Sequence, residues 1–270
     1  MRLRRVRRGA PLLGTLAVLA ALVTLAGFVA APQSAAAPLT PTDPLRGEIV
    51  VSAAASLTDA FARIARDFRR AHPGVRVRLN LASSSSLVAQ IQAGAPVDVF
   101  AAADLASFDR LAASGLLARS PVRFARNRMA IVTKPGNPLG IRGVADLAGV
   151  PVVALCGRTV PCGAFAATVL ARAGVALPET RVTRGADVRE TLGAVATGDA
   201  DAAVVYVTDA LIAGAAVTTV RIPSAVNAVA VYGIATVRGT RQRATADAFV
   251  AHVTGPAGRA ALRDLGFAGP

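Results

Sequence analysis

The chain has 270 residues, a formal charge of +14, 53% hydrophobic residues, no Trp and only 4% aromatic residues. That length suits one large domain or two modest ones, with a core of small aliphatic side chains. The charge comes almost wholly from arginines scattered singly or in pairs without interleaved aromatics, which argues for a solvated basic surface and against a nucleic-acid partner.

The chain opens with Arg2, Arg4, Arg5, Arg7 and Arg8, then "APLLGTLAVLAALVTLAGFVAA", then the small-residue stretch "PQSAAAP". A basic head, an apolar run and small residues predict a secretory leader over 1–37, followed by a Pro-rich linker over 38–46. The apolar run, about twenty residues, would also span a bilayer uncut, but the small residues favour cleavage. Discounting the five leader arginines takes the formal charge from +14 to +9. A lipoprotein would carry Cys after "LAG", where this chain has Phe28, so no lipid anchor is expected. The mature protein is expected across the cytoplasmic membrane, in the periplasm or cell-wall space.

Beyond the linker, "EIVVSAA", "VRVRLNLA" and "VDVFAAA" read as strands. Between the first two, Leu57, Phe61, Ile64 and Phe68 share one helical face, and Ser56 with Asp59 forms an S-x-x-D capping pattern that predicts a helix starting at Ser56. Gly94 and Gly115 mark helix stops. Further strands are expected at "MAIVTKPG", "VPVVALC", "RVTR", "DAAVVYV", "VTTVRIP" and "AVAVYGIATV", with helices at "AFAATVLARAG" and "DVRETLGAVATG". Arg241 to Phe267 reads as two helices split by "TGPAG". Such alternation predicts an α/β architecture with mostly parallel sheets.

Cys156 and Cys162 lie six apart in "LCGRTVPCG". In an exported chain a local disulfide is the expectation; a redox centre would favour C-x-x-C, and a zinc site would need more Cys or His ligands. Enzymatic chemistry finds little support. The only histidines, His72 and His252, neighbour no serine motif, and neither a G-x-S-x-G elbow nor a Gly-rich phosphate loop is present. A secreted serine hydrolase therefore remains only a distant alternative, with no catalytic residue assigned.

Two serine-bearing corners stand out: Ser56 in "VVSAAASLTDAF" and the four serines of "LNLASSSSLVAQIQAGAP". Neither stretch holds a Lys, Arg or His. A helix start presents unpaired N–H groups and a partial positive charge, so it accepts an anion without a basic side chain. Two such corners facing one point would hold a small dianion on neutral donors, each charge-assisted bond contributing about 1.5–3 kcal/mol. The plainer role for Ser56 alone is to cap its own helix.

Taken together, "GEIVVSAAASLTDAF", "ASSSSLVAQIQAGAPVDVFAAAD", "VPCG", "ADVRETL" and "VVYVTDA", in this order, resemble the molybdate-binding proteins of molybdate ABC transporters. The resemblance runs from about Gly47 to Phe267. It implies a two-lobed type II periplasmic binding protein fold, each lobe a sheet flanked by helices, with lobe 1 over 47–126 plus 227–270 and lobe 2 over 127–226. Hinges are expected near Asn127 and Asn227. The ligand would be molybdate, and tungstate with it, held in the interlobe cleft and delivered to an ABC permease. The molybdenum is bound through the oxygens of the anion, with no metal cation site and no cofactor. Carried over position by position, the ligand set is Ser56 and Ser84 from lobe 1, with Ser83 and Ser85 as neighbouring candidates. From lobe 2 come Cys162 and Val188, through backbone N–H groups, and Tyr206 through its phenol. Where the family usually has Ala, this chain has Cys162, which puts a Cys156–Cys162 disulfide beside the anion. A sulfate or other small-oxyanion receptor of the same fold is the alternative, and a monomer is expected.

Overall fold

Runs of β-branched and small apolar residues bounded by glycine or proline become strands, and the amphipathic stretches between them become helices that cover the sheet. The computed structural model of the chain describes residues 45–270; the expected leader, and all of the linker but Leu45 and Arg46, lie outside them. The strands are β1 (Gly47–Ala54), β2 (Val75–Ala82), β3 (Val99–Ala102), β4 (Val122–Thr133), β5 (Val153–Cys156), β6 (Val182–Gly185), β7 (Ala202–Tyr206), β8 (Thr218–Arg221) and β9 (Val229–Thr236). The helices are α1 (Thr58–Ala71), α2 (Ser84–Gln92), α3 (Ala106–Ala113), α4 (Pro161–Arg172), α5 (Val188–Ala196), α6 (Val207–Ala213), α7 (Arg243–Thr254) and α8 (Pro256–Asp264).

Pairing runs in the order β2-β1-β3-β9-β4-β7-β5-β6, with β8 on β4. The parallel pairs expected from strand–helix alternation are β1–β2, β1–β3, β5–β6 and β5–β7. The long strands β4 and β9 add antiparallel pairs, so the whole is mixed. Strand β4 changes partners along its length: residues up to Arg128 pair with β9, and Met129 to Thr133 pair with β7. One strand thus serves two sheet segments. The chain returns beside this point at Asn227, whose side chain accepts from Met129 N (3.0 Å) and Ala228 N (2.7 Å) and donates to Met129 O (2.9 Å) and Ile222 O (3.2 Å). A buried amide with both ends satisfied fixes the two crossings against each other.

On the first segment, α1 and α7 meet through Phe61, Phe68 and Phe249, with edge-on rings 6.2 and 5.2 Å apart. Leu57, Phe61, Ile64 and Phe68 are all fully buried, as their spacing predicts. A second cluster, including Phe100 and Phe108 with centroids 5.0 Å apart, packs under α2 and α3. Gly94 and Gly115 close α2 and α3 with φ of 86° and 67°, a backbone region that favours glycine.

One local expectation is overturned. Ser56 does not cap α1 with Asp59: Ala55–Leu57 forms a 3-10 turn and α1 starts only at Thr58. The Ser56 hydroxyl pairs instead with Tyr232 Oη at 2.9 Å, Thr58 Oγ1 donates to Ala55 O at 2.6 Å, and Asp59 pairs with Arg189. The pattern was real but a distant phenol outcompeted the local backbone for the hydroxyl.

Candidate functional site

The strands that end in this region lead within a few residues into helices, so helix starts crowd one small volume. Ser56 lies in the turn opening α1, Ser84 is the first residue of α2, and Cys162 follows Pro161 at the start of α4. Val188 opens α5, and Tyr206 is the residue from which α6 departs. All five line a single pocket of about 230 Å³, its mouth included, walled otherwise by residues such as Ala54, Ala55, Ala103 and Val160. First-turn N–H groups have no carbonyl within their own helix, so those not taken by a cap such as Ser83 or Asp187 are left as donors beside the pocket, with the positive ends of the helix dipoles.

No Lys or Arg lines the pocket, and its one acidic residue, Asp187, is turned onto its own helix, accepting from Arg189 N (2.7 Å) and Glu190 N (3.1 Å). The Tyr206 hydroxyl is buried and has no hydrogen-bond partner among the described residues. Burial first, then the neighbouring Tyr232 and Asp209, push its ionisation well above the usual phenol range, so it keeps its proton and is a donor.

The serines are set up in the same sense. Ser83 caps α2, accepting from Ser86 N at 3.2 Å, and Ser85 donates to Thr159 O at 2.7 Å. Ser84 Oγ accepts from Ala103 N at 3.1 Å, which leaves its own proton free. Asn127 Nδ2 approaches Tyr232 Oη at 3.5 Å, and with that lone pair engaged the phenol proton can go to Ser56 Oγ. Ser56 then also keeps a proton for the pocket. The arrangement can hold a small, fully ionised oxyanion on uncharged donors.

Cys156 and Cys162 are joined by a disulfide, Cα atoms 5.8 Å apart, which ties the end of β5 to the first turn of α4. Closing so short a loop stabilises by about 2 kcal/mol in the chain-entropy treatment. Urea unfolding of the oxidised protein is expected to show that margin over protein held in reductant, with m-values alike.

His72 and His252 both pack on Phe68, centroids at 4.5 and 5.4 Å, and neither lines the pocket. Sequence reasoning missed Tyr232, Asn127 and Ala103, which orient the two serines, and Arg189, which lies behind Val188. No signal marks Tyr232 or the Asn127 contact, whose partners are far away in the chain, while Ala103 stands in the same quoted stretch as its partner Ser84 but bonds through a backbone N–H that carries no residue type. Arg189 stands inside the "ADVRETL" motif but makes its contacts outside it.

A family model described as bacterial extracellular solute-binding protein matches residues 49–268. The chain belongs to this family. Among its relatives, the molybdate-binding protein ModA of Mycobacterium tuberculosis is 44% identical over 256 residues, spanning 93% of this chain and 97% of that protein. The periplasmic molybdate-binding protein of Azotobacter vinelandii has a similar fold, with a TM-score of 0.74, 23% identity, and coverage of 82% of this chain and 99% of that one. The sulfate-binding protein SubI of Mycobacterium tuberculosis is nearly as similar in fold, with a TM-score of 0.73, 18% identity, and coverage of 82% and 86%. Family members are solute-binding proteins and not enzymes, in keeping with histidines remote from the serine-lined pocket.

Proposed function

We propose that this protein captures molybdate outside the cytoplasmic membrane and hands it to the permease of an ABC transporter. The observation that carries the reading is the pocket itself: uncharged donors from five helix starts, with the buried Tyr206 hydroxyl left without a partner among the described residues. Ser56 and Ser84 would give hydroxyl and backbone donors, Cys162 and Val188 backbone N–H groups, and Tyr206 its phenol. Tungstate, of the same charge and shape, would bind as well.

Fold similarity does not separate molybdate from sulfate, because the two structural neighbours score almost equally. The 44% identity to a molybdate-binding relative across nearly the whole chain supports molybdate.

Capture would proceed by closure of two lobes, 47–126 with 227–270 and 127–226. The change of partners along β4 and the Asn227 amide support hinges at Asn127 and Asn227. The protein would act as a monomer without a lipid anchor, in the periplasm or cell-wall space.

Isothermal titration of the mature chain with molybdate and, separately, sulfate tests the reading. Molybdate is expected to bind much the tighter; equal or reversed affinities sink it. In the same assay Ser84→Ala and Ser56→Ala are each expected to weaken molybdate about tenfold, the loss of one bond to a charged group. Circular dichroism should show both variants folded. Wild-type affinity in both would place the site elsewhere.

A further inference from the structure

Arg189 follows directly on Val188, yet its guanidinium stays out of the pocket and spans two carboxylates from different parts of the fold. One is Asp59, in the first turn of α1, beyond the Ser56 corner. The other is Asp209, in the first turn of α6, with Arg189 Nε 3.0 Å from Oδ1. Asp209 is fully buried, and neither of its carboxylate oxygens accepts a hydrogen bond among the described residues. A buried carboxylate so poorly satisfied does not help folding by itself. Its neighbour is the guanidinium, whose Nε likewise makes no hydrogen bond among the described residues, so the two are held as an ion pair on the α5–α6 side while Nη2 reaches Asp59 on α1.

A second tie has the same form. Ser85, next to Ser84, donates to Thr159 O at 2.7 Å, three residues before Cys162. Each serine corner is therefore joined, within three residues of its donor, to one of the helix starts facing it. We propose that Arg189 is a positioning residue for anion capture: held by Asp209, it clamps Asp59 and so sets the spacing between the Ser56 corner and the Val188 N–H. This inference rests on the molybdate reading and adds a residue that never touches the anion. Since donor–oxygen distances must stay within a few tenths of an ångström of about 2.9 Å, loosening the clamp should shorten the life of the closed, loaded state.

Asp59→Asn is the decisive variant, because it removes the cross-cleft charge and leaves the buried Arg189–Asp209 pair whole. The side chains of Asp59 and Arg189 are 41% and 28% exposed, so the expected loss of molybdate affinity is moderate, about fivefold. Stopped-flow release should carry nearly all of it, while the ligand-free melting temperature stays close to wild type. Asp59→Glu should recover most of the loss, and Asp59→Asn should add nothing in an Arg189→Gln background. Asp59→Asn with wild-type affinity and release, beside a weakened Ser84→Ala, overturns the clamp and leaves the molybdate reading intact. If wild-type protein does not bind molybdate, both fall.

Discussion

Tyr206→Phe should weaken molybdate binding by about ten- to a hundredfold, and the ligand-free protein should melt no lower, and even higher, than wild type. The two halves of this result come from one atom. When the pocket is loaded, the hydroxyl donates to an anion in a water-poor site, a bond of about 1.5–3 kcal/mol, where each 1.4 kcal/mol is tenfold. Without the anion, the same buried hydroxyl has no hydrogen-bond partner among the described residues. Deleting such a group removes a desolvation penalty of about 1–3 kcal/mol. The ring itself stays packed against Phe165 and Tyr232, at 6.4 and 6.2 Å, so phenylalanine fills the same space. Titration calorimetry and thermal unfolding of the ligand-free form check both signs. Lower affinity together with lower stability would make Tyr206 a core residue and not a ligand.

Gly163→Ala should damage both stability and binding. A Cβ at Gly163 would lie 2.0 Å from Gly157 O, 2.8 Å from Gly157 C and 3.0 Å from Cys156 O, all backbone atoms with no rotamer to yield. The loop inside the disulfide therefore has to move away from α4, at about 1–3 kcal/mol or more. Cys162 sits one residue earlier, so its N–H leaves the position shared with the other donors, and affinity should fall at least about tenfold, the worth of one charge-assisted bond. Gly193→Ala is the matched control: it lies in α5, a Cβ there meets nothing within 4 Å, and helix propensity predicts a gain of about 0.5–1 kcal/mol. Urea unfolding and molybdate titration of the two variants should diverge in sign on stability. If Gly163→Ala binds as wild type, Cys162 is not a donor.

The first half of the fold is legible because its signals are local. "VRVRLNLA" coincides with β2, and the Leu57–Phe68 spacing marks the buried face of α1. The start of β4 is not legible: "VRFARNR" puts arginine at every second or third place, and its pairing with β9 is formed with a segment a hundred residues on. The site divides in the same way. Serine at a strand-to-helix corner carries a chemical marker, so Ser56 and the four-serine run can be singled out from the residues themselves, while Ser84 within that run is chosen through resemblance. A backbone N–H has no residue type, so Cys162 and Val188 are reachable only through resemblance. The Ser56 capping pattern misleads because a hydroxyl takes the best partner in space, Tyr232, which lies 176 positions away.

The sulfur–sulfur bond at the start of α4 also has a consequence for when the protein becomes competent. Such bonds persist only in oxidising surroundings. Inside the cytosol the newly made chain would carry two free thiols, and the turn bearing one of the five proposed donors would be untied. On the proposed function, a receptor in that condition would compete poorly for the anion and would become an efficient scavenger only once the bond has formed outside the cytosol.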